Sequence, residues 1–163
     1  MSSRFCASIR IGGTIEASKI EPLVLAIRAA GVACEWGDAT FEPQTHQELL
    51  DARKDGHLWL CDEQANYGEF PEIEAVCRKL DLGYTRHSEA SFDSDAELLI
   101  WRTGMKKPIV RAGSNINEKD TFVPNEAIRR ALALLERGHI DKALRTLRNL
   151  CPDIPELPPF EII

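Results

Sequence analysis

Three groups of side chains have types and spacing that could do chemistry. The first is Asp62, Glu63, Asn66, Tyr67, Arg86 and His87, which follow the apolar runs at Leu58–Cys61 and Tyr84. A carboxylate holding an imidazole is the general-base arrangement, so Asp62, Glu63 and His87 are the candidate catalytic residues. Cys61 adjoins them, but a thiol inside the most apolar strand is ordinarily inert packing. Successive strand side chains point to opposite faces, so Arg86 and His87 cannot both enter one pocket.

The second group is Asp93-Ser94-Asp95-Ala96-Glu97. In an extended chain its three carboxylates share one face, about 6.6 to 7 Å apart. Together with Asn66, Tyr67 and Glu69, the residues Asp93, Asp95 and Glu97 form a candidate partner-binding set. Such a row repels itself unless something positive approaches, either a hard cation such as Mg²⁺ or a basic protein surface. No nucleotide-binding loop accompanies the row, and carboxylates at an exposed strand entrance also deter edge-to-edge pairing. No metal ligands and no cofactor are assigned.

The third group is basic: Lys106, Lys107, Arg111, then Arg129, Arg130, Arg137, Lys142, Arg145 and Arg148. It could meet phosphate or an acidic protein. Aromatic residues are not interleaved with it, however, and no helix-turn-helix or RNA-binding signature is legible, so nucleic-acid binding ranks behind a solvated helix face.

Charge is uneven along the chain: residues 62–99 carry 10 acidic and 3 basic groups, residues 100–151 carry 5 and 11, and the whole is −6. The 163 residues, 44% hydrophobic and 28% charged, suffice for one domain with a core. The N-terminus lacks a sustained apolar stretch, so no signal peptide is expected, and no run approaches the roughly 20 residues that span a bilayer. Five cysteines without a CxxC pair fit reduced thiols rather than a disulfide framework or zinc site. A cytoplasmic protein with no membrane contact is expected.

The elements that must position these residues follow from periodicity. Phe5, Ala7, Ile9 and Ile11 alternate as a strand, which Gly12-Gly13 is expected to end. Ser18 with Glu21 has capping-box spacing before a helix that stops at Gly31, and Val32–Trp36 reads as a strand. Thr45 with Glu48 opens a second helix through Lys54. The continuous run from His57 to Cys61 reads as the central strand, with Asp62 to Gly68 looping after it. Pro71 starts a third helix on Ile73, Val76, Cys77 and Leu80. Strands follow at Tyr84–His87 and Glu97–Arg102, and Pro108–Arg111 reads as an edge strand.

The order β-α-β-(α)-β-α-β-β is that of an α+β, ferredoxin-like α/β plait (split βαβ) with one inserted helix and a C-terminal helical hairpin. In that plait the strands from His57 and Tyr84 run parallel, which brings Asp62 and Glu63 toward His87 and Ser88. From Pro124 the pattern is helical; Gly138 is expected to break it into a hairpin, the competing reading being one long helix, since an internal glycine costs only about 1 kcal/mol. The stretch ALALLERGHIDKALRTLRNL resembles one hairpin of the tetratricopeptide kind, without a second copy. The expected organisation is a single domain: a sheet core over 1–115, a hairpin over 123–151 packed on it, and an extended proline-rich tail over 152–163 held by Ile154, Leu157 and Phe160.

With no sharp catalytic constellation, the leading reading is a non-catalytic binding or accessory protein that presents an acidic sheet-edge surface to a basic protein partner. The hairpin would serve as a second contact or as a homodimer face. The alternatives are a small metal-assisted or acid-base enzyme using Asp62, Glu63 and His87 with Asp93 and Asp95, and nucleic-acid binding by the basic helices.

Overall fold

A computed structural model describes residues 3–90, 95–113 and 125–163. Among these, the strands are β1 (Arg4–Ile15), β2 (Arg53–Lys54), β3 (His57–Asn66), β4 (Gly83–Ser88), β5 (Glu97–Trp101), β6 (Ile109–Ala112) and β7 (Phe160–Ile162). The helices are α1 (Glu21–Ala30), α2 (His46–Asp51), α3 (Pro71–Lys79), α4 (Asn125–Glu136) and α5 (Ile140–Leu150). The chain divides into two compact units, residues 1–116 with 157–163, and residues 117–156.

The first unit is α+β. Its strands are ordered β2-β3-β1-β4-β5-β6, every neighbouring pair antiparallel, and β7 lies parallel to β1 at Gly13–Ile15. Because β1 pairs with both β3 and β4, those two strands run parallel with β1 between them, and their C-terminal ends reach one rim of the sheet. The central strand is therefore the N-terminal one; the run from His57 forms its neighbour β3. Ile9, Ile11, Leu58, Leu60, Tyr84 and Leu99 carry one face, and Leu23 and Ile27 of α1, Ile73 and Cys77 of α3, Leu49 and Phe160 join them in one core.

Local chemistry explains where the elements depart from expectation. Gly12-Gly13 does not end β1, which continues to Ile15. A Cβ on Gly12 would lie 1.9 Å from the Pro158 carbonyl oxygen, and Gly13 N–H donates to Pro159 O at 3.0 Å. The glycine pair thus admits the tail against β1, and the tail enters the sheet with Phe160 fully buried instead of lying on the surface. Ser18 caps nothing: Ala17–Lys19 coils into a 3₁₀ turn closed by Lys19 on Glu16 at 2.7 Å, and α1 begins at Glu21 with Pro22 in its first turn. Val32–Trp36 shrinks to one bridge, Ala33 to Cys61, because left-handed residues at Gly31 and Gly37 bound it closely.

Other elements match. Thr45 and Glu48 form the capping box of α2, although that helix ends at Asp51 and Arg53–Lys54 turns back as β2. Pro71 opens α3. β6 is an edge strand.

The second unit contains α4 and α5, separated by a turn with Gly138 at φ +74°. Two helices form here rather than one, since the left-handed glycine accepts the reversal at no steric cost. Ala131 and Ala143 are buried. No helix among the described residues is long and apolar enough to cross a membrane.

Candidate functional site

The rim reached by the ends of β3 and β4 and by the starts of β1 and β5 holds a depression of about 280 Å³. Four of its lining residues, Tyr67, Glu69, Asp95 and Glu97, belong to the candidate set read from the sequence; Ser3, Phe5, Ser88 and Glu89 complete the lining. Asn66 is exposed at the end of β3 beside Tyr67, and Asp93 lies outside the described residues.

A tight turn shapes the depression. Tyr67 and Gly68 are both left-handed, at φ 54° and 67°. Tyr67 N–H donates to Ser3 O at 2.8 Å, and Gly68 and Glu69 N–H groups donate back to Ala65 and Asn66 carbonyls. A Cβ on Gly68 would come within 2.5 Å of Ser88 Cβ, so glycine is what allows this turn to close over β4. The turn leaves the Tyr67 side chain 56% exposed.

Beneath lies a buried charge network. Arg86, 2% exposed, donates through Nη1 to Gly68 O at 2.6 Å and through Nη2 to Glu97 Oε1 at 2.5 Å. Its Nε stands 3.0 Å from Glu74 Oε1, near enough for an ion pair although the N–H is not aimed at that oxygen. Glu74, in the first turn of α3, accepts from Tyr84 Oη at 3.2 Å, and Arg78 Nη1 donates to the same phenol at 2.9 Å. Burial, reinforced by the adjacent Glu74 carboxylate, pushes the Tyr84 phenol up, which keeps it protonated as a donor. Arg86 is thus compensated from both sides, as a buried charge requires. Glu97 spends its charge on Arg86, whereas no ion pair engages Glu69, Glu89 or Asp95 within the described residues.

The general-base group does not assemble. Asp62 lies opposite Ala7, whose other neighbour is Ser88, so two strand spacings of about 4.8 Å separate the β3 and β4 positions. His87 is one residue off that register and therefore on the other face from Arg86 and Ser88. Asp62 and Glu63 are strand residues rather than loop residues. The Asp62 carboxylate accepts from Gln64 N–H at 2.8 Å, and both residues line a different depression, of about 250 Å³, with Trp36 and Asp38.

The thiols of Cys6, Cys34, Cys61 and Cys77 are not poised as nucleophiles. Burial pushes Cys61 up to about 11, and its Sγ donates to Ala33 O at 3.6 Å. Burial likewise raises Cys6, Cys34 and Cys77. Among the described residues no three His, Cys, Asp or Glu side chains gather closely enough to hold a metal ion.

Sequence reasoning did not single out Glu74, Glu89, Ser3 or Phe5 as site residues. Glu74 in a first helical turn reads as an ordinary response to the helix dipole. Glu89 directly follows β4, the one legible hint. Ser3 and Phe5 reach the rim only through the β1 pairing.

No family model matches the chain, and neither a curated protein nor a solved structure matches it.

Proposed function

We propose that this protein is a non-catalytic binding or accessory protein whose acidic rim depression receives a basic side chain from a protein partner. The observation that carries the reading is the gathering of Glu69, Glu89, Asp95 and Glu97 around one opening beside the exposed Tyr67 ring. Among the described residues Glu69, Glu89 and Asp95 have no ion-pair partner, which favours an arriving cation, and a tyrosine face adds attraction for ammonium or guanidinium. At about 280 Å³ the opening is smaller than the roughly 300–1,000 Å³ of small-molecule pockets, and suits a single lysine or arginine side chain. Separation of Asp62 from His87 weighs against the acid-base reading.

The strand order β2-β3-β1-β4, with β3-α3-β4 as a split βαβ unit, supports assignment of the α+β unit to the ferredoxin-like plait, extended by β5 and β6. Five free cysteines accord with a reducing, cytoplasmic setting.

The test uses the full chain and a lysine- and arginine-rich peptide. Amide resonances of Tyr67, Glu69, Glu89 and Asp95 should shift on titration, and the triple change Glu69→Gln, Glu89→Gln, Asp95→Asn should abolish the shifts while the fold persists. Affinity should fall as salt rises, since the contact is exposed and screened. Shifts centred elsewhere, or retained in the triple variant, would remove the rim from the proposal.

A further inference from the structure

The helical unit carries an apolar surface that its own two helices do not use. Ala131 and Ala143 are buried, with Leu134, Thr146 and Leu150 half-buried, which marks the sides on which α4 and α5 face each other. The larger side chains stay open: Ile128, Leu132 and Leu135 on α4, and Ile140, Leu144 and Leu147 on α5, up to 59% exposed at Ile140. Each trio has the spacing i, i+4, i+7, one continuous helical stripe. In each helix that stripe lies about a quarter turn ahead of the residues facing the other helix. Because the helices are antiparallel, both quarter turns lead to the same side, and the six side chains form one flat face.

We infer that this face is covered by the same face of a second copy, giving an antiparallel four-helix bundle around a two-fold axis. The charges beside the stripes select that occupant. Another quarter turn outward, α4 is bordered by Arg129 and Glu136, and α5 by Asp141 and Arg148 with Arg145 between them; the spacing puts Arg130 and Lys142 on the opposite side. Arg129 and Arg148 lie at the open end of the hairpin, whereas Glu136 and Asp141 lie at the Gly138 turn.

Two face-to-face arrangements have two-fold symmetry. If the turns of the two copies lie at the same end, Arg129 meets the partner's Arg148 and Glu136 meets the partner's Asp141, so both ends repel. If the turns lie at opposite ends, α4 packs on the partner's α4, Arg129 meets the partner's Glu136, and Asp141 meets the partner's Arg148. Only the second brings opposite charges together at all four corners, with Arg145 facing its own copy between two of them, in the manner of flanking charges in coiled coils. Leu132 and Leu144 then lie nearest the axis and pair with their own copies. Each helix is about 18 Å long or less, so the face is at the small end of specific interfaces and the dimer forms and dissociates with concentration.

Sedimentation velocity of the full 18.3 kDa chain across the micromolar range decides the matter. The expected result is a shift from monomer to dimer with rising concentration. Leu132→Glu with Leu144→Glu should abolish it, with helical circular dichroism checking that the hairpin persists. Arg129→Glu alone should weaken the dimer several-fold, and adding Glu136→Arg should restore it, because both edges between α4 and the partner's α4 are then reversed together. These two charged positions are exposed, so their variants report on association even if the leucine pair unfolds the hairpin. A monomer at every concentration, a dimer indifferent to the leucine changes, or a double charge reversal as weak as the single one would overturn the inference.

Discussion

Arg86 Nη2 donates to Glu97 Oε1 across 2.5 Å, and that contact joins the buried charge network of the sheet to the wall of the acidic depression. Through its other nitrogens Arg86 also holds Gly68 O and faces Glu74. One guanidinium therefore supports the Tyr67–Gly68 turn, balances the buried helix carboxylate and keeps Glu97 in place, while among the described residues Glu69, Glu89 and Asp95 carry no ion pair.

Arg86→Ala leaves Glu74 buried without its cation and should cost about 3–5 kcal/mol, the usual consequence of breaking a buried pair from one side. Replacing both Arg86 and Glu74 by Met should cost much less. Urea denaturation midpoints of the single and double variants check this, and equal losses would show that the pair is not the source.

Cys61 makes stability depend on alkaline pH. A thiol raised by burial favours the protonated folded state, so its contribution is complete below the ordinary thiol value near 9 and is lost as pH climbs toward about 11. The stability difference between wild type and Cys61→Ala, measured in urea, should be constant up to about pH 9 and should shrink above it. A difference that is flat through pH 11 would contradict this. Cys151, exposed, should be the first thiol alkylated at neutral pH.

Gly12→Ala places a methyl group 1.9 Å from the Pro158 carbonyl oxygen. Backbone cannot yield as a side-chain tip does, so the substitution should push β7 away from β1, uncover Phe160 and raise amide exchange at Gly13–Ile15 and Phe160–Ile162 together. The expected loss is within the range of about 3–5 kcal/mol that attends loss of a buried phenylalanine. Normal protection of those amides in the variant would refute the explanation given for the glycine pair.

Trp101→Phe should be nearly neutral for an aromatic truncation. Among the described residues the buried Trp101 Nε1 proton has no hydrogen-bond partner, and removing an unpaired donor recovers part of what the lost ring volume costs. A change of about 1 kcal/mol or less is expected; thermal unfolding measures it, and a loss like that of Arg86→Ala would mean that the indole packs far more tightly than its unpaired donor suggests.

What the sequence determined by itself was local. Period-two apolar alternation marked β1, the continuous run marked β3, Pro71 opened α3, Thr45 and Glu48 capped α2, and Gly138 divided the terminal helices; each depends only on neighbours along the chain. The carboxylates Glu69, Asp95 and Glu97 were also legible as like charges near strand ends, which stand out in any order. Tertiary structure alone decided that these three share an opening with Tyr67, since that needs the ends of β3 and β4 and the starts of β1 and β5 at one rim, a consequence of β1 pairing on both sides. It decided too that Asp62 and His87 stand apart, because the register across β1 sets Asp62 level with Ser88, one residue and one face away from His87. The role of Gly12-Gly13 was likewise hidden: the Pro158 carbonyl that needs their missing side chains is almost the whole chain away. Arg86 stood in sequence as a member of the sheet-edge group that could enter a pocket in place of His87, and only the arrival of Glu74 from α3 and Glu97 from β5 makes its full burial tolerable.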